Sequence, residues 1–377
     1  MIYFNNAATS YPKPDGVAEA VTKSLTDPPT NPYRENVTRE SVISSCRERI
    51  ARLFHFPDPN RVLFCSGSTE ALNMAIHGLA SKGGHIITTQ LEHNAVLRPL
   101  HYLETNGVCD VDVLPCRFPG YPSASDFKNT LKKHTCLAVV NHASNVTGAR
   151  LCLSDIYDIC DAHEIPLVID AAQSAGSLDV DMSGMSRAVL AFTGHKGLLG
   201  PKGVGGLLVG DRLNPRVWKS GGTGIRSDLK SMPEMWPVKY EAGTLNQPGI
   251  AGLASSVGYI LQKGLSFLGN TKEELVRHMV RELGKLDDVT IFSEPPEQNH
   301  CGIVCFNVNG WSSEEIGYIL NESFDIRVRT GLHCAPLIHR AMGTFPLGAV
   351  RASFSCFNTH DEIETFVQAL RTITNQH

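Results

Sequence analysis

Short runs of consecutive apolar, largely β-branched residues recur along the first half of the chain. They are Val62-Leu63-Phe64-Cys65, His85-Ile86-Ile87-Thr88, Cys136 to Val140, Leu167-Val168-Ile169, Ala188 to Phe192 and Val204 to Val209. Their apolar residues are continuous rather than alternating, which predicts strands buried on both faces, as in a mostly parallel sheet covered by helices. Between the first two runs, Leu72, Ala75, Ile76, Leu79 and Ala80 fall on one stripe at helical spacing. They predict a helix packed on the sheet, with Ser68 as its N-cap.

From Trp218 to Gly249 glycine and proline are frequent and no periodicity holds. A segment of that length without regular structure is usually functional or lies at an interface. Beyond it a helical region begins near Ile250, strand-like runs follow at Gly302 to Val308 and Ile326 to Arg329, and Asp361 to Ile373 reads as a closing helix. The expected organisation is α/β: a large domain over residues 15–250, and a smaller α+β domain built from 1–14 and 251–377. No internal repeat points to a solenoid.

A chain of 377 residues with 42% hydrophobic and 19% charged residues can bury a deep site and is not composed like a disordered protein. The net charge of -4 supplies no general attraction for nucleic acid or an anionic membrane. No stretch approaches the roughly 20 apolar residues of a membrane span, and Met1 to Ala8 lacks the regions of a signal peptide. Eleven scattered cysteines fit a reducing compartment, so the expected location is the cytoplasm.

Three chemical parts follow one another along the chain. Gly67-Ser68-Thr69 precedes the amphipathic helix, where backbone N–H groups and two hydroxyls can meet a dianionic phosphate. Asp170 ends the run Leu167-Val168-Ile169, the position at which a parallel strand delivers a side chain to a ligand crevice. Lys196 follows the next strand in Thr193-Gly194-His195-Lys196-Gly197, where a desolvated amine acquires a lowered pKa. Singly, each has a plainer reading: an N-cap, a strand-end carboxylate capping a helix, a surface lysine. In this order they supply what pyridoxal phosphate chemistry requires: a phosphate cradle, an anion for the pyridine nitrogen and an amine to attach the cofactor. His93, in Glu92-His93-Asn94, is a candidate to stack on the cofactor ring, although an isolated loop histidine is more often exposed or structurally bonded.

Eight segments in order carry a wider resemblance. They are Asn5-Asn6-Ala7-Ala8-Thr9-Ser10, Gly67-Ser68-Thr69-Glu70-Ala71, Glu92-His93-Asn94, Ser144-Asn145-Val146-Thr147-Gly148, Asp170-Ala171-Ala172-Gln173-Ser174, Gly194-His195-Lys196, Glu241-Ala242-Gly243-Thr244 and Arg329-Thr330-Gly331-Leu332-His333-Cys334-Ala335. Nearly the whole chain resembles the class V aminotransferase family, and within it the cysteine desulfurases and selenocysteine lyases. The resemblance implies the type I fold of pyridoxal-phosphate-dependent transferases. It assigns Lys196 to covalent attachment of the cofactor, Asp170 to the pyridine nitrogen, Gln173 to the ring hydroxyl, and His93 to ring stacking and proton transfer. Asn145 would face ring and substrate. Ser68, Thr69, Thr193 and His195 would hold the phosphate, with Thr244 reaching the cofactor of a neighbouring subunit in a homodimer. Arg351 would clamp the substrate carboxylate, with Asn6 also at the substrate.

Cys334 separates the activities within the family, because its aminotransferases need no thiol nucleophile. Its segment resembles that of the second desulfurase group, although Leu332 stands where that group often has His. The implied reaction converts L-cysteine to L-alanine and leaves a persulfide on Cys334. A sulfur-acceptor protein or small thiol would then receive the sulfur. L-selenocysteine lyase activity, or an aminotransferase or β-lyase with another amino acid, remain the alternatives. Cys301 and Cys305 are expected to be core thiols. No CxxC pair occurs, and His333, Cys334 and His339 do not make a zinc spacing, so no metal site is expected.

Overall fold

The computed structural model describes residues 1–28, 41–116, 118, 120–293 and 300–375. It opens with β1 (Ile2–Tyr3), α1 (Val17–Thr26) and α2 (Val42–Leu53). Strands and helices then alternate: β2 (Val62–Cys65), α3 (Ser68–Leu79), β3 (Gly84–Thr89), α4 (Asn94–Thr105), β4 (Cys109–Leu114), α5 (Ala124–Thr130), β5 (Thr135–Asn141), α6 (Leu153–Ala162) and β6 (Leu167–Asp170). Two strands, β7 (Ala188–Thr193) and β8 (Gly205–Val209), precede the long irregular segment, after which come α7 (Gln247–Lys263) and α8 (Leu265–Leu283). The remainder is β9 (Val289–Ile291), β10 (Ile303–Val308), α9 (Ser313–Phe324), β11 (Ile326–Arg327), β12 (Arg329–Gly331), α10 (Pro336–Ala341), β13 (Ala349–Ser353) and α11 (His360–Thr374). No helix among the described residues is long and apolar enough to cross a membrane.

The large sheet has the order β2-β8-β7-β6-β5-β3-β4, with β8 antiparallel to both its neighbours and the other pairings parallel. Alternation of side chains between faces explains the continuous apolar runs. Leu167 and Ile169 of β6 join the core beneath α2, α6 and α7, whereas Val168 joins the core beneath α3 and α4. β4 is the strand that the apolar runs did not indicate. It lies at the sheet edge, and Asp110 and Asp112 on it suit an edge exposed to water.

The smaller unit is an antiparallel sheet, β12-β13-β10-β9, whose core takes in α8, α9, α11 and Phe4. The first strand is drawn there by parallel pairing of β1 with β11. The expected run 326–329 is two short strands, since Val328 interrupts it and β11 and β12 belong to different sheets. The expected domain boundary at 250 also differs from the packing. Ile250, Leu253, Val257 and Ile260 of α7 lie in the core of the large sheet, and the change of core occurs along α8, between Leu268 and Leu275.

The irregular segment before α7 is anchored at Glu241, which is buried. One carboxylate oxygen accepts from Arg47 at 2.6 Å and the other from the Phe64 backbone N–H at 2.6 Å. This ties the segment to α2 and β2, and so to the end of the sheet that precedes α3.

Candidate active site

Segments that follow the strands of the large sheet line a cavity of about 300 Å³. Asp170, Lys196, Asn145, His93, Gln173, Thr193 and His195 all line it, together with Ser68 and Thr69. Residues from five separate segments of the sequence are therefore brought together by the sheet. Asp170 is the last residue of β6 and is 5% exposed. Its Oδ1 accepts from the Ala172 N–H at 2.9 Å. Burial raises its pKa, opposed by that hydrogen bond and by Lys196. Lys196 follows β7, and burial lowers its pKa to about 8 despite the opposing charge of Asp170. About a tenth of this amine is neutral at pH 7, far more than for an ordinary lysine, and attachment of an aldehyde requires the neutral form.

At the other end of the cavity α3 begins. Gly67, not Ser68, is the N-cap, and it makes no side-chain cap. The correction has a physical consequence: Ser68 and Thr69 open the first turn, leaving its N–H groups and hydroxyls available to an anion. The glycines bring the parts close. A Cβ on Gly67 would lie 3.3 Å from the Thr193 hydroxyl, and one on Gly205 would lie 2.6 Å from Gly67 Cα. His195 has a buried Nδ1 with no hydrogen-bond partner among the described residues, and burial followed by Lys196 lowers its pKa to about 4. Lys202 and Gly203, which the sequence reading passed over, line the same end. A helix N-terminus, hydroxyls and a partnerless imidazole face one end, with a buried carboxylate and a lowered-pKa lysine in the same cavity. This donor set fits pyridoxal phosphate.

His93 is the N-cap of α4, and its Nδ1 accepts from the Ala95 N–H at 3.0 Å. The bond makes Nδ1 an acceptor, so the proton of the neutral ring is on Nε2. Burial, then Lys196 and Arg351, lower its pKa to about 4. Beneath it lies a buried polar layer that the sequence reading missed. Glu92 Oε1 accepts from Thr89 Oγ1 at 2.7 Å and from the Asn141 N–H at 3.0 Å. Tyr121 donates to Asn141 Oδ1 at 2.7 Å. Burial pushes Glu92 up to about 8, so it is largely protonated near pH 7. Its place beside His93 in a motif was the available signal.

Arg351, in the middle of β13, is 4% exposed and donates from Nη1 to the Asn145 carbonyl at 2.7 Å. Its Nε is buried without a partner among the described residues, and burial lowers its pKa to about 10. Cys334 is exposed and borders a second, open cavity of about 510 Å³ that shares Thr69 and His93 with the first. Its carbonyl accepts from the Asn94 N–H at 2.7 Å, and the carbonyl of His333 accepts from Asn145 Nδ2 at 2.8 Å. Both residues have left-handed backbone, with φ of 51° at His333 and 56° at Cys334.

Asn6, Gln173 and Thr244 stand differently. Asn6 Nδ2 donates to the Tyr3 and Ser353 carbonyls at 3.1 and 3.0 Å and to Asn358 Oδ1 at 3.2 Å, while its Oδ1 accepts from the Tyr11 N–H at 3.0 Å. Its amide is thus engaged in joining the N-terminal segment to the small domain, and it lines a separate small cavity. Gln173 borders both cavities and donates to the Ala7 carbonyl at 3.1 Å. Thr244 is exposed, outside the lining of either cavity. Cys301 and Cys305 are buried, and burial raises both thiols to about 12. Elsewhere His278, Glu282 and Glu364 converge, with Glu282 already paired to Arg281 and Lys285 at 3.1 and 2.6 Å.

Comparison with known proteins gives a consistent result. The family model described as Aminotransferase class-V matches residues 2–366. A curated cysteine desulfurase of Escherichia coli O7:K1 is 29% identical over 342 residues, which cover 88% of this chain and 82% of the relative. The apo structure of a cysteine desulfurase from Thermococcus onnurineus NA1 superposes with a TM-score of 0.88 at 28% identity, covering 100% of this chain and 95% of that one. A cysteine desulfurase structure from Escherichia coli shares the fold, with a TM-score of 0.86, 24% identity, and coverage of 99% and 94%.

Proposed function

The chain belongs to the class V aminotransferase family, with its type I fold, and we propose that it is a pyridoxal-phosphate-dependent cysteine desulfurase. The reaction converts L-cysteine to L-alanine and leaves the sulfur on Cys334. The observation that carries this reading is the exposed Cys334 on a segment bonded directly to Asn145, a residue lining the cavity.

Pyridoxal phosphate supplies, when bound, the electron sink that makes the Cα proton acidic and the Cβ–S bond breakable. The protein supplies the rest. Ser68, Thr69, Thr193 and His195 would hold the phosphate, and Asp170 would hold positive charge at the pyridine nitrogen. Arg351 binds the substrate carboxylate through its planar fork. Lys196 would take the Cα proton at Nζ, and His93 would stack on the cofactor ring and assist proton transfer. The Cys334 thiolate attacks the substrate sulfur. A sulfur–sulfur bond forms, the Cβ–S bond breaks, and the carbon is protonated to give alanine. Thiol plus cysteine therefore balances persulfide plus alanine, and the nucleophile is the thiolate.

We further propose a cytoplasmic homodimer in which the exposed Thr244 meets the partner's cofactor phosphate, and a protein or small thiol that removes the persulfide sulfur. Incubation with L-cysteine and a reductant is expected to give equal alanine and sulfide in wild type and neither in Cys334→Ala. Alanine formation that survives this substitution would overturn the thiol mechanism. The same pair tested on L-selenocysteine separates a lyase, whose selenium release survives the loss of the thiol.

A further inference from the structure

Behind Cys334 lies a chain of hydrogen bonds that the reaction above does not use. His333 is buried although the next residue is exposed, and its ring stacks on that of His339 with centroids 5.3 Å apart. His339, on α10, is fully buried. His333 Nδ1 lies 3.2 Å from His339 Nε2, His339 Nδ1 lies 2.7 Å from Thr344 Oγ1, and His333 Nε2 lies 3.4 Å from the Arg329 carbonyl.

These contacts admit one direction when both rings are neutral. The Arg329 carbonyl can only accept, so His333 carries its proton on Nε2 and accepts at Nδ1. His339 must then donate from Nε2 and accept at Nδ1, which leaves the Thr344 hydroxyl as donor. Burial and the Arg351 guanidinium hold His333 well below its ordinary range and His339 at about 4, so both rings are neutral at working pH. The chain thus fixes a buried imidazole immediately before a residue that must carry a thiol in left-handed backbone, a conformation that non-glycine residues avoid unless their surroundings impose it. Asn145 and Asn94 grip the same two peptides from the large domain. His339, from the small one, holds the ring of His333.

We propose that His339 is a positioning residue for the sulfur-accepting thiol: acting through His333, it fixes the backbone of His333 and Cys334 and so sets where the thiol meets the substrate sulfur. This rests on the desulfurase reading. It separates the thiol step from the rest of the reaction, because the two imidazole rings and the Thr344 hydroxyl bond to one another and to the Arg329 carbonyl, not to Lys196, Asp170 or the residues of the phosphate end.

The test compares the holoenzymes of wild type, His339→Leu, His339→Gln and Thr344→Val on two substrates. L-Cysteine needs the Cys334 thiol. L-Cysteine sulfinate does not, because its sulfur leaves with its own oxygens: sulfinate plus water gives alanine plus sulfite. In His339→Leu, kcat for cysteine should fall roughly ten- to a hundredfold, the scale of a displaced reacting group. Its KM should stay within about threefold, and turnover of the sulfinate within about twofold. His339→Gln, whose carboxamide can donate to His333, should recover most of the loss, and Thr344→Val should show a smaller loss of the same selectivity. An equal fall on both substrates, or undiminished cysteine turnover, overturns the proposal. Should His339→Leu fail to fold, Thr344→Val and His339→Gln decide it on the same ratio. Hydrogen exchange over residues 331–336 needs no substrate and should quicken in His339→Leu and not in His339→Gln. A wild type inert toward cysteine would sink the desulfurase reading alone, and unchanged exchange would sink the positioning role alone.

Discussion

Asn145 donates from its side-chain amide to the carbonyl of His333 at 2.8 Å, joining residues 188 apart along the chain and placed on different domains. The same residue's carbonyl accepts from Arg351 at 2.7 Å. One residue of the cavity wall therefore holds both the thiol segment and the proposed carboxylate clamp.

Asn145→Asp removes the donor while nearly preserving shape, and places a carboxylate against the His333 carbonyl. Cysteine turnover should fall about a hundredfold, the cost of displacing a reacting group by about an ångström. Cofactor content should change little, because Asp170, Lys196 and the phosphate end are untouched. Steady-state alanine formation beside the cofactor absorbance per subunit checks both statements.

Arg351→Lys tests the clamp. Lysine keeps the charge but loses the planar fork and cannot reproduce the bond to Asn145 in the same geometry. KM for cysteine should rise roughly tenfold or more, with a smaller change in kcat. A kcat loss at unchanged KM would place Arg351 outside ground-state substrate binding.

Much of this site was legible in the sequence, for identifiable reasons. Asp170 and Lys196 could be found because each ends or follows an apolar strand, and parallel strands deliver such residues to one crevice. β4 was not legible because edge exposure lets Asp110 and Asp112 interrupt its apolar pattern. Nor was the change of core along α8, since an apolar helix face does not reveal which of two cores it meets. Glu92 was named only as part of a motif and His339 only in dismissing a zinc site, for a related reason: their roles depend on buried partners far away in sequence or around a turn, Asn141 for one and His333 for the other.

Glu92 gives a prediction about stability. Its folded pKa is about 8, raised from an ordinary carboxyl value of 4.5 mainly by burial. The native state therefore holds a proton that the unfolded chain releases between pH 4.5 and 8, and the contribution of this group to stability declines with rising pH across that window. Above about 8 both states are ionised and the dependence ends. Glu92→Gln imitates the protonated carboxyl at every pH, so its stability relative to wild type should rise from pH 5 to 8 and then level. Urea unfolding of both proteins at several pH values measures the difference. A constant difference would show that Glu92 is ionised throughout.

Lys196 gives the corresponding prediction for cofactor capture. An amine attacks an aldehyde only when neutral, and burial has lowered this one to about 8. In apoprotein, the rate of attachment of pyridoxal phosphate should rise about tenfold per pH unit below that value and level above it. An unperturbed lysine would keep accelerating toward 10.5. The residue also offers a check on the cause. Asp170 opposes the effect of burial by stabilising the ammonium form, so Asp170→Asn should move the break in the profile to lower pH. Stopped-flow absorbance at a series of pH values reads both breaks. An unmoved break in Asp170→Asn would mean that the carboxylate does not act on the amine through its charge, and that burial alone sets the reactivity of Lys196.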